Sequence, residues 1–174
     1  NPSSPNISIV IPAYNEALRI GPSIKAILKF ISHNRLSAEV ILVDDGSVDD
    51  TSRIADAFPL RIVRNDSNRG KGYSVRRGVL ESKGHWVLFT DADLSAPIDE
   101  LARLLKVAEE GADVVIGSRA MDRTKIAVHQ SRFRELGGIF YNSMVRLILG
   151  LDIQDTQCGF KLFHREKLSP VFQD

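Results

Sequence analysis

Five short apolar runs, separated by stretches of helical periodicity, constrain this chain more than any other feature. They are residues 7–11 (ISIVI), 39–43 (EVILV), 60–63 (LRIV), 85–90 (HWVLFT) and 112–116 (ADVVI). Such runs are too short for core helices and read as strands, and the nearly continuous apolar run at 7–11 suits a strand buried on both faces. Between them, residues 16–32 carry Leu18, Ile20, Ile24, Ile27, Leu28 and Ile31 at helical spacing, and 97–109 does the same with Leu101, Leu104, Leu105 and Ala108. Shorter helices are expected at 50–57, with Asp49 or Asp50 as N-cap, and at 71–82. Strand alternating with helix at this spacing predicts an α/β fold with a mostly parallel central sheet and helices on both faces.

Such a sheet needs a core, and 43% hydrophobic residues against 26% charged ones supply it. A length of 174 residues suits one domain. We expect a flexible lead-in over 1–6 (NPSSPN) and a single domain over 7–174 whose natural sequence continues past the last residue. The lone cysteine, Cys158, excludes a scaffold stapled by internal disulfides. No heptad or triplet repeats, so a coiled coil and collagen are excluded as well. A net charge of +1 says nothing of partners, but its distribution does. Residues 61–77 hold six basic side chains and one acidic, and 119–146 hold six basic and two acidic. Aromatic interleaving in the first stretch is limited to Tyr73, which favours a solvated basic face over a nucleic-acid surface. A bilayer span takes about 20 apolar residues. The helix expected at 133–149 is shorter and is interrupted by Arg134, Glu135, Asn142 and Arg146, so it reads as a core helix.

In open parallel sheets, ligands bind beyond the carboxyl ends of the strands. The polar clusters Tyr14–Glu16, Asp44–Ser47, Asp91–Ser95 and 117–119 all fall there. Asp91 and Asp93 follow a strong apolar strand, and side chains at i and i+2 of an extended backbone point the same way. Two carboxylates converging on one spot repel each other, and a divalent cation relieves that repulsion. Hard oxygen donors with room for water and phosphate suit Mg²⁺ or Mn²⁺. Asp44 and Asp45 are adjacent, so one is expected to face a ligand and the other to hold turn or helix amides, with Gly46 permitting a tight turn. Gly70-Lys71-Gly72 suits an approach to phosphate, yet Val75 occupies the third glycine position of a dinucleotide fingerprint, and the segment is not a P-loop.

Taken in order, SIVIPAYNE (8–16), VDDGSVDDT (43–51), NRGKGYSVRRG (68–78), FTDADLSAP (89–97) and GSR (117–119) resemble family 2 glycosyltransferases of GT-A fold. The tail DTQCGFKLF (155–163), together with DADLSAP, is similar to the branch that glycosylates dolichyl and other polyprenyl phosphates. The resemblance implies a nucleotide-diphosphate sugar donor, UDP-glucose being favoured, with Mg²⁺ or Mn²⁺ as cofactor and inversion at the anomeric carbon. It implies a polyprenyl or dolichyl phosphate acceptor at the cytoplasmic face of a membrane. By the same resemblance, Pro12, Ala13, Tyr14 and Glu16 line the nucleoside pocket with Asp44 or Asp45. Lys71, Asp91 and Ala92 contact the nucleotide sugar, and Asp91 and Asp93 hold the metal. Arg119, Arg132 and Arg134 meet phosphates, and Asp155 lies near the acceptor, with Gln157 and Lys161 as lesser candidates. The catalytic set is then Asp93, Arg119, Arg132 and Asp155. Ser95 stands where some related mannosyltransferases have glutamine, so two carboxylate ligands are the most the motif provides.

Three other readings compete. A GDP-mannose-dependent enzyme shares the same motifs. A hydroxyl-acceptor synthase of this family would carry a downstream QxxRW motif, whereas the only tryptophan is Trp86, inside an expected strand. A phospho-accepting receiver domain would place its paired aspartates after the first strand, but here a full strand and helix (7–33) precede Asp44 and Asp45.

Overall fold

The structure, a computed structural model, describes residues 5–117 and 158–172. The chain divides into two compact units, residues 1–115 with 159–174 and residues 116–158. The helix expected at 133–149 lies outside the described residues.

All five expected strands form: β1 (Ile7–Ala13), β2 (Ala38–Asp44), β3 (Arg61–Arg64), β4 (Trp86–Thr90) and β5 (Val114–Ile116). So do the helices α1 (Ala17–His33), α2 (Thr51–Ala55), α3 (Lys71–Glu81) and α4 (Leu101–Glu109), the last entered through a 3-10 turn at Ile98–Glu100. A sixth strand, β6 (Phe160–His164), is an addition, and it leads into α5 (Arg165–Leu168) and a 3-10 turn at Ser169–Phe172. The N-cap of α2 is one of the two aspartates expected there. Asp50 occupies the N-cap position of α2, but its carboxylate binds Arg53 at 2.8 Å. The preceding Asp49 accepts the Thr51 N–H at 2.9 Å and does the capping.

The strand order is β3-β2-β1-β4-β6-β5. β1 runs parallel to β2 and β4, and β2 parallel to β3, while β6 is antiparallel to β4. The chain thus builds outward on one side of β1 and then returns to build on the other. The two ladders on β1 differ in length. Its pairing with β2 extends to Ala13 opposite Asp44, but its pairing with β4 ends at Val10 opposite Phe89. Pro12, which cannot donate a backbone hydrogen bond, lies in the stretch that β4 no longer flanks. The parting of β1 from β4 opens a crevice at the topological switch point, where open α/β sheets bind ligands.

β1 is buried along its whole length, as a central strand must be when both faces are covered. On one face Val10, Ile41, Val43, Val63 and Val87 pack with Val79 of α3 and Phe163 of β6. Ile7, Ile9 and Ile11 alternate to the other face and are equally inaccessible to water. α1 contributes a buried stripe of Ile20, Ile24, Ile27 and Phe30. Each fully buried side chain of this size is worth roughly 1.5–3 kcal/mol.

α3 reaches the sheet through a residue without a side chain. A Cβ on Gly78 would lie 2.3 Å from Val10 Cγ1 and 3.0 Å from Val43 Cγ2. Gly78→Ala should therefore destabilise the fold by about 1–3 kcal/mol through overpacking. The melting temperature should fall by roughly 2–4 °C for each kcal/mol. Gly72→Ala, in the same helix with nothing within 4 Å of its Cβ, should leave stability unchanged or raise it. Urea unfolding of the two variants checks the contrast, and equal losses would contradict this packing.

Candidate functional site

The crevice between the ends of β1 and β4 is a cleft of about 410 Å³. Pro12, Ala13, Tyr14 and Glu16 line it from the end of β1, Asp45 from the end of β2, and Asp91, Ala92 and Asp93 from the end of β4. Lys71 enters it from the start of α3. Nine residues expected at a nucleotide-sugar site therefore border one cavity. Asn68, Gly70 and Ser74 border it too. Asn68 and Ser74 lie within the NRGKGYSVRRG motif, but neither is among the expected site residues.

Of the adjacent pair, Asp44 is the one that holds the turn. Its carboxylate accepts the Ser47 N–H at 2.9 Å and the Ser52 hydroxyl, which anchors the turn after β2 to α2. It does not line the cleft. Asp45 does, and it also holds the neighbouring loop. Its Oδ1 accepts from the Asn65 side-chain amide at 2.6 Å and the Arg69 N–H at 3.0 Å, and its Oδ2 from the Gly70 N–H at 2.8 Å. Gly70 has φ +89°, a left-handed conformation open to glycine that turns its amide inward. Burial alone would hinder ionisation of Asp45. The hydrogen bonds from Arg69, Asn65, Gly70 and Ser74 outweigh it, so the carboxyl titrates below its ordinary value.

The first two loops are knitted together by side chains from the recognisable motifs. Asn15, at φ +53°, donates its N–H to Ser47 Oγ at 3.0 Å and accepts the Val48 N–H at 3.0 Å. The Glu16 N–H donates to Thr51 Oγ1 at 2.8 Å, and the Ala17 N–H to Asp49 Oδ2 at 3.1 Å. The side chains of Asn15, Ser47, Asp49 and Thr51 thus build the rim.

Asp91 and Asp93 reach the cleft by a different route from the one expected. β4 ends at Thr90, and the pair sits in a turn closed by the Leu94 N–H on the Asp91 carbonyl at 3.1 Å. Leu94 takes φ +47°, a conformation costing roughly 1–2 kcal/mol for a residue with a Cβ. The Ser95 N–H donates to Asp93 Oδ1 at 3.0 Å. The turn, not the pleat of a strand, brings the two carboxylates to one side. Both have cationic neighbours. Lys71 Nζ lies 2.5 Å from Asp91 Oδ1 and 5.3 Å from the Phe89 ring centroid. Arg19 binds Glu16 at 2.8 Å and comes within 4.0 Å of Asp93 Oδ2.

Of the basic residues between 61 and 77, Lys71 alone is in the cleft lining. Arg61 binds Glu81 at 2.6 Å and Arg64 binds Asp56 at 2.8 Å. Arg77 donates to the Arg64 carbonyl and to Asn65 Oδ1, and Arg69 stacks 4.4 Å over Tyr73. Lys161 lies on β6 opposite Phe89 and does not line the cleft. Arg119, Arg132, Arg134, Asp155 and Gln157 lie outside the described residues.

Among the described residues no cluster of three or more His, Cys, Asp or Glu forms a cage for a metal. Two carboxylates on an open cleft still fit Mg²⁺ or Mn²⁺, which are commonly held by one or two carboxylates plus substrate phosphates. Among the described residues no helix is long and apolar enough to cross a membrane.

The Asp45 network makes a prediction about acid stability. The folded carboxyl titrates below its unfolded value of about 3.9. Its contribution is therefore complete above that value and is lost as pH falls through the lower folded one. Asp45→Asn should cost about 1.5–3 kcal/mol at pH 7, the worth of hydrogen bonds to a charged group. It should also flatten the loss of stability below pH 4. Urea titrations at pH 7 and at pH 3 check both effects, and an unchanged acid slope would remove Asp45 from this role.

Known proteins resemble the chain in both sequence and fold. The glycosyl transferase family 2 model matches residues 8–172. Dolichyl-phosphate beta-glucosyltransferase of Dictyostelium discoideum is 31% identical over 95% of the chain and 56% of the relative. The Saccharomyces cerevisiae protein of the same name is 34% identical over 95% of the chain and 57% of its own length. The human one is 32% identical over the same shares. The chain thus spans a little over half the length of these relatives. Among solved structures, Mycobacterium tuberculosis glucosyl-3-phosphoglycerate synthase in complex with Mn²⁺ and UDP-glucose is similar with a TM-score of 0.71 and 27% identity. That likeness covers 94% of this chain and 57% of that one. The same enzyme with UDP gives a TM-score of 0.69. The mixed α/β sheet has the GT-A architecture implied by the motifs. The chain belongs to glycosyl transferase family 2.

Proposed function

We propose that this chain is the catalytic part of an inverting hexosyltransferase. It moves glucose from UDP-glucose to dolichyl or another polyprenyl phosphate at the cytoplasmic face of a membrane. The observation that carries the reading is the cleft itself. One cavity at the switch point combines a buried hydrogen-bond acceptor, Asp45, with an acidic pair and a lysine, Asp91, Asp93 and Lys71. The first group suits a nucleoside, the second a diphosphate with its counter-ion. The names of the relatives support glucose and dolichyl phosphate, and the complexes of the mycobacterial enzyme support UDP-glucose with a divalent metal.

The chemistry follows from charge. Displacement at the sugar carbon leaves a nucleoside diphosphate, and a divalent cation, when bound, neutralises the charge that develops on it. Asp91 and Asp93 are the residues that would hold it. Lys71 adds a positive charge on the same side of the cleft. A phosphate monoester has a second pKa of about 6, so the acceptor oxygen is already anionic at neutral pH. It needs orientation rather than deprotonation. Arginine forks grip phosphate oxygens in two-point contacts, the task assigned to Arg119, Arg132 and Arg134. A single displacement inverts the anomeric carbon. Asp155 completes the acceptor side.

The mycobacterial structures favour a second reading, since that enzyme was also crystallised with phosphoglyceric acid. A small phosphorylated acceptor with a free hydroxyl would need a general base, and Asp155 would serve.

Thermal shift measures the donor side. UDP and UDP-glucose should stabilise the chain in the presence of Mn²⁺, GDP should not, and Asp93→Ala should abolish the effect. Equal stabilisation by UDP and GDP, or none that depends on metal, would count against the assignment. Transfer of labelled glucose to dolichyl phosphate in detergent measures the acceptor side, with 3-phosphoglycerate as the competing acceptor. Arg132→Ala should raise the KM for the lipid phosphate by roughly tenfold or more, the worth of a charge-assisted hydrogen bond. It should leave UDP-glucose affinity within about twofold. Loss of donor affinity alone would assign Arg132 to the donor.

A further inference from the structure

The glycine of the CGF segment has no role in the reading above, and the antiparallel strand gives it one. β6 pairs with β4 in a register that ends with Thr90 opposite Phe160. One residue further along, Gly159 comes opposite Asp91. A Cβ on Gly159 would lie 1.9 Å from Asp91 Oδ2, 2.4 Å from Cγ and 2.7 Å from Oδ1. The volume that any other residue would fill is occupied by the carboxylate of Asp91.

Conformation is not the reason for glycine here. Gly46, Gly70 and Gly111 have φ values of +73°, +89° and +107°, which favour glycine, whereas Gly159 is not among the positive-φ residues. The requirement is for space alone. The obstructing atoms also differ from those at Gly84, where a Cβ would meet backbone of Ile7 and Ser8 at 2.4–2.6 Å. At Gly159 they are the end of a short side chain with two torsions, which moves at little cost to the fold. What changes is where the carboxylate points. In the native arrangement Asp91 Oδ1 is 2.5 Å from Lys71 Nζ at the edge of the cleft.

We propose that Gly159 is a positioning residue. By lacking a side chain, it lets the Asp91 carboxylate lie against the start of β6 and keeps it aimed into the cleft, ready for a donor diphosphate and its cation. This rests on the proposed role of Asp91 toward the donor. An ångström of displacement in such a site costs up to about a hundredfold.

The test is a double-mutant cycle on the full chain, read by Mn²⁺ binding in the presence of UDP and by thermal melting. Gly159→Ala should weaken Mn²⁺–UDP binding tenfold or more while its melting temperature stays within about 3 °C of wild type. In an Asp91→Ala background the same substitution should change neither quantity, because the atoms it would strike are gone. Wild-type Mn²⁺–UDP affinity in Gly159→Ala would overturn the inference, and so would losses that multiply in the double variant. If Gly159→Ala fails to fold, restoration of folding by Asp91→Ala supports the contact and failure to restore it overturns it. A wild-type chain that binds no Mn²⁺–UDP instead overturns the donor reading and, with it, the role given to Asp91.

Discussion

The parting of β1 from β4 is the constraint on which the site depends. Both strands are buried, and they share a ladder only as far as Val10 and Phe89. Beyond that point β1 stays with β2 and the chain after β4 turns away. There the two strands no longer pair with each other. The gap is edged by the loops that carry Tyr14, Glu16, Asp91 and Asp93. A strand order that reverses at β1 makes this gap unavoidable. The residues around it are polar because the backbone there must meet water or a ligand.

Charge in the cleft is arranged in two different ways. Asp45 is 3% exposed and surrounded by donors, so its negative charge is held by oriented amides that cost nothing to reorganise. Asp91 and Asp93 are instead paired with long, half-exposed cations, Lys71 and Arg19, whose hold on a carboxylate in water is weak. The first arrangement is permanent and shapes the loop at 65–70. The second is exchangeable, which suits a place where charged substrate comes and goes. Of the arginines in the basic stretch, Arg61 and Arg64 pair with carboxylates, Arg77 donates to a carbonyl and Arg69 stacks on an aromatic ring, all away from the cleft lining.

Several elements were legible because each rests on a local signal. The five apolar runs became strands at nearly the expected bounds, with β1 buried throughout and β3 and β5 only partly buried. β6 was not legible: FKLFH breaks its apolar character with Lys161 and ends on His164, yet it inserts between β4 and β5. Its apolar side chains Phe160, Leu162 and Phe163 suffice once neighbouring strands supply the hydrogen bonds. The site divided in the same way. That an acidic pair follows β4 could be read directly, but its convergence through a turn at Leu94 could not. That one of Asp44 and Asp45 faces the cleft followed from their adjacency. Which one does so depended on where α2 and the loop at 65–70 came to rest.

The sequence by itself determined the class of fold, the end of the sheet where ligands bind and the kinds of side chain gathered there. Those depend on periodicity and on residue chemistry, both of which are properties of short segments. Only the tertiary structure decided which polar groups are spent on holding loops and which remain for a ligand. It alone brought Lys71 to Asp91 and Gly159 against the same carboxylate, from positions 20 and 68 residues away along the chain. Such meetings are set by strand order and register, and no local stretch of sequence carries that information.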